Sequence, residues 1–168
     1  GNVELSHVKE LTEKWFAPIV KTGKYERSLP TEPTQTEARR LEVERPVPLD
    51  AIYISFHMCG KNDEDYPVWD LLSDILGRGD SSRLTQKLVK EARIFTAVNA
   101  FVMGERDPSL FTVAGHISQG ISIEEAEKHL LAEIESLRSG TITKIELDKV
   151  KNQAEANHEF SEMSVLNR

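Results

Sequence analysis

Between Asp65 and Val102 the sequence sets two helices and a strand almost end to end, and this run constrains the fold more than any other. Asp65 is placed to cap a helix with Pro67 in its first turn, where a missing amide proton costs nothing. Val68, Leu71, Leu72, Ile75 and Leu76 then recur at i, i+3, i+4, i+7 and i+8, one apolar face of a helix. The spacing predicts a second helix from Ser82 to about residue 92, with Leu84 and Leu88 on one face. A strand follows from Phe95 to Val102. Only Gly77-Arg78-Gly79-Asp80-Ser81 separates the helices.

That link has three readings. A dinucleotide cradle needs G-x-G-x-x-G after a strand, but Gly77 follows a helix and Ser82 stands at the third glycine position. Arg78-Gly79-Asp80 spells an adhesive triplet, which would need an extended, exposed loop that the few residues between the helices do not offer. The remaining reading is a structural linker. Gly77 or Gly79 takes a left-handed conformation past the first helix, Ser81 or Ser82 caps the second, and Arg83 faces a neighbour.

The rest of the chain arranges itself around this run. Val8, Leu11, Trp15 and Ile19 follow a capping Ser6 at helical spacing, and Pro18 lies at or past the helix end. Residues 20–37 read as a polar surface connector. Leu41 and Val43 alternate with charges, and Ile52, Ile54, Phe56 and Met58 alternate with Tyr53, Ser55 and His57. Two strands are expected there, separated by Pro46 and Pro48. The strand at Phe95 pairs with one at Leu110–Ile117 across the turn Gly104–Pro108. Ser122–Glu125 and Thr143–Glu146 are capping boxes opening two final helices, and Gly140 is placed to close the first of them. The order α-ββ-αα-ββ-αα predicts an α+β fold, an antiparallel or mixed sheet with helices packed on one face. Gly1-Asn2 stands almost against a helix and Arg168 lies in a helical stretch without a stop signal, so both ends are expected to continue in a longer chain.

Function is narrowed mainly by exclusion. The net charge of −7, with Lys and Arg scattered, argues against nucleic acid, which needs clustered cations. No apolar run approaches the roughly 20 residues that cross a bilayer, so no membrane partner is expected. Cys59 is the only cysteine, so neither a disulfide framework nor a thiolate zinc site can form. His7 and Glu10 lack the second imidazole of a zinc-peptidase helix. Glu125 and His129 are spaced one helical turn apart, a geometry that can bind metal but more commonly is a surface contact. No G-x-S-x-G elbow is present for a serine nucleophile.

Five phrases in order carry a family resemblance: "VKELTEKWFAPI", "RSLPTEPTQTEARRLEV", "AIYISFHM", "DYPVWDLLSDILGRGDSSRLTQKLVKEARIFTAVNAF" and "DPSLFTVAGHISQGISIEEAEKHLLAEIESLRSGTITKIELDKVK". Over nearly its whole length the chain resembles the second, C-terminal half-domain of the pitrilysin/insulinase zinc peptidases, relatives of the mitochondrial processing peptidases. The resemblance implies one α+β half-domain, residues 1–168, of a clam-shell chamber around unfolded peptide. It also implies zinc in a preceding half-domain, with no zinc or catalytic residue here. Implied partners are a peptide or unfolded-protein substrate and a catalytic half-domain of the same family, with a dimer also possible.

In such non-catalytic halves an Arg and a Tyr seven residues apart help to hold substrate. Their positions fall at Val89 and Thr96. Either the register differs by a residue or two, so that Lys90 or Arg93 joins Thr96 in that role, or the pair belongs to another half or subunit. Gly79, Ser82 and Arg83 remain linker residues. The resemblance leaves a second reading, a structural or recognition subunit of an inactive family member that assembles with a zinc-bearing partner.

Overall fold

The computed structural model describes residues 2–20, 23, 30 and 32–163, and divides the chain into two compact units, Gly1–Glu44 and Arg45–Arg168. The first unit holds helix α1 (Leu5–Trp15). Its cap position is Glu4, so the expected cap Ser6 lies inside the helix, and the Phe16 amide closes the last turn on the Thr12 carbonyl at 2.8 Å. None of the α1 residues is buried, and Leu5, Val8, Leu11 and Trp15 all stand exposed. Beyond it, the described residues of the 20–37 connector have no helix or strand; the others lie outside the described residues.

The strand expected at Leu41 and Val43 does not form. Both side chains are exposed, and no residue from 32 to 50 is in a strand. Alternation creates a strand only where the apolar face finds a surface to cover, and Pro46 and Pro48 remove two amide donors just downstream. The observed order therefore has one strand where the first pair was expected.

The second unit is built on three strands, β1 (Ala51–Met58), β2 (Phe95–Val102) and β3 (Ser109–Ile117), in the antiparallel order β1-β3-β2. One parity of each strand makes the core: Ile54 and Met58, Val98 and Ala100, Phe111, Val113 and Ile117. These pack with Leu76 of helix α2 (Tyr66–Gly77), with Leu84 and Leu88, and with Ala126 and Leu130 of helix α3 (Ile123–Ser139). Trp69 of α2 reaches the Phe111 ring at 5.7 Å between centroids. Helix α4 (Lys144–Glu162) buries Val150. Each fully buried Val, Leu, Ile or Phe contributes about 1.5–3 kcal/mol by leaving water, and these side chains concentrate on one side of the sheet.

Glycine is required at the end of α2 for a reason the sequence did not reveal. A Cβ on Gly77 would collide with the Ala100 backbone and meet Asn99 Oδ1 at 2.8 Å, so its absence lets α2 lie directly on β2. Asp65, expected to cap α2, makes no side-chain cap bond; its amide instead donates to Asp63 Oδ1 at 3.0 Å. Gly140 closes α3 with extended backbone (φ −98°), not the left-handed turn its position suggested.

Candidate functional site

The linker between α2 and the next helical segment is wound, not projecting. Gly79 adopts φ +76°, the left-handed turn that glycine accepts without strain, and the Ser82 amide donates to its carbonyl at 3.1 Å. Ser82 is fully buried. Its carbonyl accepts the first helical bond from the Gln86 amide, while its hydroxyl donates to Thr85 Oγ1 at 2.9 Å, so the expected cap is made by position more than by its hydroxyl. The Asp80 carbonyl is taken by Lys90 Nζ at 2.9 Å, which draws the adhesive-like triplet into the fold.

Arg83 is the anchor of this corner. Its Nε and Nη2 donate to the two carboxylate oxygens of Glu146 at 2.6 and 2.9 Å, and Nη2 also reaches the Thr141 carbonyl at 3.2 Å. Glu146 simultaneously accepts the Thr143 amide at 2.9 Å, completing the capping box at the start of α4. The Arg83 hydrogen bond, helped by those from Thr143, holds the Glu146 carboxyl down at about 2. Lys149 Nζ bonds Ser81 Oγ at 3.2 Å, and Lys87 Nζ pairs with Glu133 of α3 at 2.8 Å. The linker and the helical segment after it therefore tie the last two helices to the core.

The helical segment that follows is π-wound over Thr85–Glu91, with the Ala92 amide donating five residues back to Lys87 at 2.9 Å. Just past its Ala92 cap stands Arg93, a non-glycine residue at φ +56°, and the next amide, of Ile94, closes on the Leu88 carbonyl at 2.9 Å. Val89 packs partly into the core. Lys90, Arg93 and Thr96 are all exposed. Thr96 sits at the register shift where β2 begins, its hydroxyl donating to the His116 carbonyl at 3.2 Å. Lys90 is turned toward the linker and Thr96 toward β3, so the structure gives each of these two a local hydrogen-bonding partner.

The feature that residue-by-residue reading missed is the other face of the sheet. Tyr53, Ser55 and His57 of β1, Leu110, Thr112 and His116 of β3, and Asn99 and Phe101 of β2 have the parity opposite to the core. Tyr53 is 68% exposed and Phe101 38%, while Thr112 in the central strand is buried and shares a 2.9 Å hydrogen bond with Ser55. The signal was present in the sequence: AIYISFHM, FTAVNAFV and SLFTVAGHI contain no Asp, Glu, Lys or Arg.

Metal chemistry finds no ligand set. Among the described residues no group of three His, Cys, Asp or Glu comes close enough to hold an ion, and Glu125 and His129 lie exposed on α3. A zinc ion in a peptidase needs three protein ligands and an open position, so these residues do not fit one.

The Peptidase M16 inactive domain family matches residues 1–154. The chain belongs to the M16 peptidases, as their inactive C-terminal half-domain. It is 31% identical over 156 residues to zinc protease PqqE of Helicobacter pylori (strain ATCC 700392 / 26695), covering 90% of this chain and 35% of that one. It thus spans about a third of the length of that curated relative. A crystal structure of a protease from Helicobacter pylori superposes with a TM-score of 0.84 at 30% identity, over 99% of this chain and 41% of the other. The M16 inactive domain from Pseudomonas fluorescens, at 19% identity, shares the fold with a TM-score of 0.57 over 65% of this chain and 26% of that one. The M16 assignment agrees with the α+β sheet, and the zinc named in the Helicobacter relative corresponds to no ligand set among the described residues here.

Proposed function

We propose that this domain is the non-catalytic half of a zinc metallopeptidase of the pitrilysin and processing-peptidase kind. Its bare sheet face forms part of a chamber wall and helps position peptide for a zinc site on another half-domain of the family. The observation that carries this reading is the asymmetry of the sheet. Helices clothe one face, while the other is open, has no Asp, Glu, Lys or Arg in its strands and bears exposed aromatic side chains. A face of that kind, on a domain whose described residues form no metal-ligand set, suits a surface that handles substrate while the chemistry happens elsewhere. Peptide contacts from Lys90, Arg93 and Thr96 at the start of β2 belong to the same proposal.

The test is reconstitution with a zinc-bearing M16 half-domain. The chain alone is expected to bind no stoichiometric zinc and to leave an unfolded protein substrate intact, whereas the two halves together hydrolyse it. Hydrolysis by this chain alone, or by the zinc-bearing half equally well without it, overturns the reading. Assembly without hydrolysis would indicate a structural subunit of an inactive member instead.

A further inference from the structure

We draw no further inference here: the strongest candidate, the exposed apolar stripe of Val8, Leu11 and Trp15 along helix α1 of the first unit, is an apolar helix face, and nothing among the described residues shows what covers it.

Discussion

The two faces of the sheet are made by alternate residues of the same three strands, yet they answer to different demands. Val98, Ala100, Phe111 and Val113 face the helices and are nearly inaccessible, whereas Tyr53, Phe101 and Leu110 have the opposite parity and stay exposed. A period of two therefore lets one backbone carry stability on one side and leaves the other side free for the peptide handling proposed for it. The core face resembles that of any α+β domain, while the open face stands out by having no Asp, Glu, Lys or Arg. Stability and peptide handling should be separable by mutation.

The strongest way to break that comparison is on the inner side. Leu84→Ala removes a fully buried side chain from the contact between helix and sheet and should cost about 2–5 kcal/mol in urea unfolding. Gly77→Ala should come next, at about 1–3 kcal/mol, because α2 must lift off the Ala100 backbone. A cost near zero would mean that α2 and β2 are not in close contact.

Arg83→Ala should cost about 1–3 kcal/mol by removing two charge-assisted hydrogen bonds from Glu146, and a double-mutant cycle with Glu146→Gln should recover most of that as coupling. The pH dependence has a definite sign. The folded Glu146 carboxyl sits at about 2, below its unfolded value of 4.5, so its contribution is present above pH 4.5 and is lost as the pH falls toward 2. Thermal melts should show a shallower loss across that window for Glu146→Gln than for the parent chain.

Smaller still, and opposite in direction, Arg93→Gly should stabilise the domain by up to about 1 kcal/mol, because φ +56° strains a residue with a Cβ. Tyr53→Lys with Phe101→Lys should change stability by about 0.5 kcal/mol or less, since both project from the open face. The contrast between this pair and Leu84→Ala is the sharpest form of the two-face argument.

Much of this was legible in the sequence wherever local pattern and tertiary demand coincide. The apolar period of α2, the Thr143–Glu146 capping box and the strands at Ile52–Met58, Phe95–Val102 and Leu110–Ile117 all formed as their residues indicate. Leu41 and Val43 show where pattern misleads: alternation without a surface to cover leaves both side chains exposed. The role of Gly77 was illegible because it depends on how closely a distant strand approaches, and the π-winding of Thr85–Glu91 has no periodic signature of its own. Arg83 could be assigned to a neighbour, but Glu146, 63 residues away, could be found only in three dimensions. The open face was hidden for a different reason. Its signal is an absence of charge across three separated segments, which becomes a surface only when the register sets them side by side.

The most direct test of the two-face account compares Tyr53→Lys/Phe101→Lys with the parent domain, each assembled with a zinc-bearing M16 half-domain and acting on an uncharged unfolded peptide. The account predicts a KM raised about tenfold, corresponding to roughly 1.4 kcal/mol of lost binding, with kcat and the melting temperature unchanged. An unaltered KM, or a fall in melting temperature as large as that of Leu84→Ala, would contradict it.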